Sequence, residues 1–202
     1  MENTFTVSTG GVCTMAITTD NVLWRWGLNP QGQHDVNNME CFYRPIPIMN
    51  DIRFVSVRSS IMIINTKNEL LAWGSNHFGE RGDNDIDKTC HSPKKIMDNI
   101  IEVSSSFNHT LAIDKNDVLW SWGSNKAGQL GDGTTTDRHA PKKIMENVVA
   151  ASTANVHSMA LTADGVLWTW GYNMDGLLGV ANCKDVICCR PMAVMSNVML
   201  PA

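Results

Sequence analysis

Apolar and polar residues alternate in short bursts along this chain. In "HTLAIDKNDVLW", His109, Leu111 and Ile113 fall on one side of an extended segment, and Thr110 and Ala112 on the other. Period-two patterning of this kind predicts a strand over 109–113. The polar run 114–117 is a tight turn. A second strand follows over 118–122, with Trp120 and Trp122 on one face and Leu119 and Ser121 on the other. A β-branched stretch at 100–103 predicts a strand before this pair. A short outer strand at 141–145 follows it, starting at a proline, which an edge position tolerates. Residues 123–133 form the loop between. No helical periodicity interrupts the pattern.

The unit recurs. "LWRWGLNPQGQHD" starts at Leu23, "LLAWGSNHFGERGD" at Leu70, "LWSWGSNKAGQLGD" at Leu119 and "LWTWGYNMDGLLGV" at Leu167. Their shared core, W-G-x-N-x-x-G, comprises Trp26, Gly27, Asn29 and Gly32; Trp73, Gly74, Asn76 and Gly79; Trp122, Gly123, Asn125 and Gly128; and Trp170, Gly171, Asn173 and Gly176. A second tryptophan stands two residues earlier at Trp24, Trp120 and Trp168, with Leu71 in the second copy. Downstream, a proline is followed four residues later by a methionine in every copy, as in Pro141 and Met145. Four copies in register define four periods, roughly 1–49, 50–97, 98–145 and 146–195, with 196–202 as the stub of a fifth repeat. The whole of 1–202 reads as one repeat domain.

Strands that carry apolar or small residues on both faces need neighbours on both sides. A radial array of four-stranded antiparallel blades supplies them, so the expected fold is all-β: four blades of a β-propeller, as an open, partial ring. The glycines end a strand where positive φ is needed, and the asparagines suit a turn that bonds its own backbone. The tryptophans are large apolar bodies expected between blades, each with an N–H to satisfy. A phosphate-cradling loop needs G-x-x-x-x-G-K-[ST] or a glycine cluster opening a helix, and no copy has either.

Apolar residues make up 43% of the chain and charged residues 18%, which allows a sizeable core and argues against disorder. The net charge of −4, with no basic block, disfavours a nucleic-acid partner held through phosphates. No apolar run reaches membrane-span length, so no membrane association is expected. "MENTFTVSTGG" lacks the features of a signal peptide, so a cytoplasmic or nuclear location is expected. The cysteines show no framework spacing and are expected to be reduced.

Candidate chemistry is sparse. Asp20, Glu69, Asp117 and Asp164 fall in turns, where turn propensity explains them. His109 and His157 open equivalent strands, as structural histidines would. Cys183, Cys188 and Cys189, with Cys90 and His91 in an equivalent loop, match no zinc-ligand spacing. No catalytic, metal or cofactor site is read, and the chain is expected not to be an enzyme. Phe42, Tyr43 and Arg44 combine side chains typical of binding hot spots, and form a candidate partner-binding rim.

The run H-[ST]-[LM]-A-[IL] … L-W-x-W-G-x-N-x-x-G-x-[LR]-G … P-x-x-[IV]-M resembles the repeats of the regulator of chromosome condensation family, most closely in the third and fourth copies. The resemblance implies a propeller, of seven blades in the family, and a function in protein binding. Family members include nucleotide-exchange factors for a small GTPase, light or ubiquitin-pathway modules, and inhibitory propellers. A non-catalytic interaction scaffold working through ring-face loops is the expectation, with guanine-nucleotide exchange as the alternative. The family's exchange activity uses a protruding wedge, and no insertion here exceeds a residue or two. The first two copies depart most: Cys13 and Ser60 stand where His109 and His157 open the strand, and Asp35 replaces the glycine of the others, Gly82, Gly131 and Gly179. The second copy is one residue shorter between Ser56 and Gly74. Met1 aligns with Met145, as an internal methionine of a longer repeat protein would. An open arc would leave apolar blade faces exposed, to be covered by further blades or by a second copy as a homodimer.

Overall fold

The computed structural model describes residues 4–10, 13–28, 41–85, 87–180 and 185–199. The described chain is four four-stranded antiparallel sheets, each a simple meander. The first holds β1 (Thr4–Thr9), β2 (Cys13–Thr18), β3 (Leu23–Gly27) and β4 (Phe42–Met49). The second holds β5 (Ile52–Val57), β6 (Ser60–Asn65), β7 (Leu70–Ser75) and β8 (Thr89–Met97). The third holds β9 (Ile100–Ser105), β10 (His109–Asp114), β11 (Leu119–Gly123) and β12 (Arg138–Met145). The fourth holds β13 (Val148–Thr153), β14 (His157–Thr162), β15 (Leu167–Tyr172) and β16 (Ile187–Met195). One turn of 3-10 helix, Met174–Gly176, lies between β15 and β16. Each sheet is a blade, and its strands are called A to D in chain order.

The expected all-β propeller blades are present, with strand limits that differ for physical reasons. Strand A of the third blade runs on through Ser104 and Ser105, because these serines bond to neighbouring blades. Ser104 Oγ accepts the Thr153 amide at 3.1 Å, and Ser105 and Ser56 share a hydroxyl hydrogen bond at 2.7 Å. Ser8 Oγ likewise accepts the Val57 amide at 3.0 Å. Strand D starts at Arg138, before Pro141. Ser121 pairs with Lys142 and Gly123 with Arg138, so the proline falls in a bulge of the edge strand, where its missing N–H costs no ladder bond. The one-residue deletion of the second copy lies in its A–B loop: Arg58 and Ser59 connect β5 to β6, where Ser106, Phe107 and Asn108 connect β9 to β10.

Three apolar clusters sit between consecutive blades. The first joins Met15, Ile17 and Leu23 to Val55, Val57 and Trp73; the second joins Met62, Ile64 and Leu70 to Val103, Ala112 and Trp122; the third joins Leu111, Ile113 and Leu119 to Val148, Ala160 and Trp170. Each blade thus has two unlike faces. Its tryptophan face packs on the preceding blade and its leucine face on the following one. Among the described residues no such cluster joins the first blade to the fourth, so the array is an open arc. Backbone clasps hold successive blades in register: Ile52, Ile100 and Val148 donate to the carbonyls of Asn21, Asn68 and Asp117 at 2.9, 3.0 and 2.9 Å. Strands A of successive blades touch, which puts them innermost.

Candidate protein-interaction face

Within each blade the A–B and C–D loops emerge on one face of the arc, and the B–C and D–A turns on the other. The repeated motif builds the C–D loops. Asn125 is fully buried at its start. Its side-chain carbonyl accepts the Leu130 amide at 3.0 Å. Its Nδ2 donates to Asp132 Oδ1 and to the carbonyls of Thr134 and Thr136, at 3.1, 3.0 and 3.1 Å. Asn76 and Asn173 do the same for Arg81 N and Leu178 N at 3.0 and 3.2 Å. Two linked turns follow, Gly128 N to Asn125 O and Gly131 N to Gly128 O. Several amides of this loop are thus committed to acceptors within it.

The next blade locks the second and third of these loops from behind. Trp122 Nε1 donates to the Glu80 carbonyl at 2.9 Å, and Thr110 Oγ1 to the same oxygen at 3.0 Å. One blade on, Trp170 Nε1 and Ser158 Oγ donate to the Gln129 carbonyl, both at 2.8 Å. Gly131 lies under Trp170 with φ +75, and a Cβ there would sit 2.8 Å from Nε1. The outer tryptophans are less buried than the inner ones, although Trp120 and Trp168 still pack against the clusters between blades, as expected. Trp24, Trp120 and Trp168 are half-buried, and each bonds the last residue of strand B in its own blade: Thr18 Oγ1 at 3.1 Å, Asp114 Oδ2 at 2.9 Å and Thr162 Oγ1 at 3.2 Å.

His109 is fully buried at the centre of this scaffold. Ser158 gives its proton to the Gln129 carbonyl, so His109 Nε2, 2.8 Å from Ser158 Oγ, is assigned as the donor, and Nδ1 faces Ser106 Oγ at 2.8 Å. Burial, assisted by His157, pushes its pKa down to about 3 and keeps the ring neutral. In the first blade Cys13 holds this position, its thiol pushed up to about 11 by burial against the opposing pull of Arg25. Asp85, on the second C–D loop, is held at about 2 by Lys94, which bonds it at 2.5 Å.

Exposed apolar side chains gather on the A–B and C–D face. Phe78, Met174, Leu177 and Val186 lie on C–D loops and Phe107 on an A–B loop, all exposed. Of the expected rim, Tyr43 is 91% exposed and Arg44 is exposed, at the outer edge of this face. Phe42 turns inward, its ring 4.4 Å from the Arg25 guanidinium carbon. The inner signature positions Trp73, Trp122 and Trp170 are buried, Trp26 is half-buried, and Gly27, Gly74, Gly79, Gly123, Gly128, Gly171 and Gly176 all have positive φ. Asn29, Gly32, Asp35, Met1 and Cys183 lie outside the described residues.

The candidate acids stay apart on the turns of different blades. Cys188 is buried, and Cys90 and Cys189 are half-buried. Among the described residues no group of three or more His, Cys, Asp and Glu side chains gathers as a metal site. No helix among them is long and apolar enough to cross a membrane.

Two family models described as the regulator of chromosome condensation (RCC1) repeat match residues 116–161 and 100–129. No curated protein sequence matches the chain. Among solved structures, Prp20p from Saccharomyces cerevisiae, described with its binding to Gsp1p and histones, superposes with a TM-score of 0.79 at 17% identity, over 96% of this chain and 51% of that one. Yeast RCC1 (Prp20) bound to Kap60 gives 0.82 at 17% identity, over 96% and 49%. Human WBSCR16 gives 0.82 at 20% identity, over 96% and 56%. This chain therefore spans about half the length of the structures it matches, and at these identities the likeness is one of fold.

Proposed function

From the premise that this chain is built of regulator of chromosome condensation repeats, arranged as blades of a β-propeller, we propose that it is a non-catalytic scaffold that binds a protein through its A–B and C–D loop face. The observation that carries this reading is the distribution of exposed apolar side chains. Phe78, Phe107, Met174 and Leu177 stand on that face; the loop of Phe78 is held by buried Asn76 and by Trp122 of the next blade, and that of Met174 and Leu177 by Asn173. Apart from Met195 and Met199 at the end of the fourth blade, the opposite face is made of polar turns such as 114–117. A preformed surface with aromatic anchors suits protein recognition, since little ordering entropy is lost on binding. Tyr43 and Arg44 extend it at the rim. A net charge of −4 with no basic block disfavours nucleic acid or an anionic membrane as the partner.

The test is recovery of a bound protein by the immobilised chain. A Phe78→Ala/Phe107→Ala variant is expected to lose it, and Lys115→Glu, on the opposite turns, to keep it. Retention by the first variant, or loss by the second, overturns the reading. Guanine-nucleotide exchange on a small GTPase is the second reading, and the likeness to Prp20p, described as binding Gsp1p, favours it. Accelerated release of a fluorescent guanine nucleotide, abolished by Phe107→Ala, supports exchange. Release at the uncatalysed rate removes it.

A further inference from the structure

The two ends of the arc expose positions that are buried at the joints between blades. On the first blade Val7 is 63% exposed, whereas Val55 and Val103, at the same position, are 4% and 3% exposed. Phe5 is exposed beside it, and Trp24 and Trp26 are half-buried. On the fourth blade Met159 is 37% exposed, whereas Met15, Met62 and Leu111 at the same position are fully buried. Leu167 is only half-buried where Leu23, Leu70 and Leu119 are fully buried. Ala150, Ser152, Met159, Leu161 and Leu167 line an apolar depression on this face.

We propose that two copies of this chain associate head to tail, the tryptophan face of one copy's first blade on the leucine face of the other's fourth blade. The inference rests on the four sheets being blades, and of the partner-binding loops it involves only that of Leu177. Within the chain the same kind of joint occurs three times, always tryptophan face on leucine face. The polar half of the joint is in place as well. Ser152 continues the series Ser8, Ser56 and Ser104, two members of which accept an amide from the next blade. The residue equivalent to Val57 and Thr153 in an incoming first blade is Thr9. Leu177 holds the position of Glu80 and Gln129, whose carbonyls take the indole and hydroxyl donors of the next blade. Trp26 and Thr14 are the corresponding donors.

Because the faces are unlike, the contact is heterologous: it closes into a ring if the rotation allows and otherwise continues as a chain of copies. Val198 N donates to the Gly165 carbonyl at 3.0 Å, repeating the clasp of Ile52, Ile100 and Val148. Thr4 of an incoming copy is the equivalent residue, so the tail competes for this one bond and weakens the association.

Light scattering and sedimentation over a concentration series test this. The wild-type chain is expected to rise above the mass of one copy as concentration increases, and Val198→Pro to do so at lower concentration. Val7→Lys and Met159→Lys, each made at an exposed residue, are expected to stay at the mass of one copy with wild-type circular dichroism. Mixed one to one, they retain one intact joint and are expected to form a pair that grows no further. Should either lysine variant misfold, Phe5→Lys with Met159→Gln serves as the second pair. A wild-type mass of one copy throughout, a mixture that stays monomeric, or self-association undiminished in either single variant overturns the proposal. Recovery of a partner by the loop face is read separately and stands or falls on Phe78 and Phe107.

Discussion

Trp122 in the third blade donates its indole N–H to the carbonyl of Glu80 in the second, at 2.9 Å. A strand residue of one blade thereby fixes the binding loop of its neighbour, so blade packing and loop shape are one property of this molecule. Trp122→Ala is expected to cost about 3–5 kcal/mol, from lost burial, the cavity left behind and an orphaned carbonyl. Trp26→Ala, at the half-buried equivalent on the open first blade, is expected to cost less than half as much. Urea unfolding of the two variants measures the difference, and equal losses would contradict an open end.

The asparagine of the motif is the second support. Asn125→Ala removes bonds to Leu130 N, Asp132, and the carbonyls of Thr134 and Thr136 in a buried loop. The expected loss is about 2–4 kcal/mol, because unsatisfied buried groups keep their full desolvation cost. Limited proteolysis should show new cleavage within 124–137 before the strands are cut.

Glycine conformations separate backbone from packing. Gly131 and Gly176 have nearly the same φ, +75 and +74, but a Cβ at Gly131 meets Trp170 at 2.8 Å and one at Gly176 meets nothing within 4 Å. Gly176→Ala is expected to cost about 1–2 kcal/mol, for the left-handed backbone alone. Gly131→Ala should cost clearly more and red-shift tryptophan emission as the indole is displaced. Indistinguishable thermal midpoints for the two variants would count against the tryptophan lock.

His109 makes stability depend on pH. Its folded pKa of about 3 lies below the ordinary value of about 6.5, so the unfolded chain binds the extra proton. Its contribution is present above pH 6.5 and is lost as pH falls toward 3, by up to about 1.4 kcal/mol per pH unit. Glu102, whose carboxyl burial pushes up, acts in the opposite sense over the carboxylate range. Unfolding midpoints between pH 7 and 4 should fall in the wild type and flatten in His109→Gln, which cannot take the proton. An unchanged slope in the variant would reassign the effect.

The sequence carried the large-scale order of this fold because its markers are unusual residues. Tryptophans, glycines at positive φ and buried asparagines each meet a demand few side chains can meet, so their 47- to 49-residue spacing stands out. Ser8, Ser56, Ser104 and Ser152 recur at 48 residues and the first three carry bonds between blades, yet serine is too common to be seen as a signal. The partners of the outer tryptophans alternate between threonine and aspartate, which hides a shared role. Exposure of Phe78 and Phe107 depends on how loops of different blades emerge together, and no local pattern encodes that. Phe42 read as a rim residue together with Tyr43, but strand alternation turns it onto Arg25.

The claim that a protein partner engages the A–B and C–D loop face is tested most directly by placing a photo-crosslinking residue at position 107 or at position 115 of the full chain. The account predicts a covalent adduct with the bound protein from position 107 and none from position 115. Adducts from position 115, or equal yields from both, would contradict it.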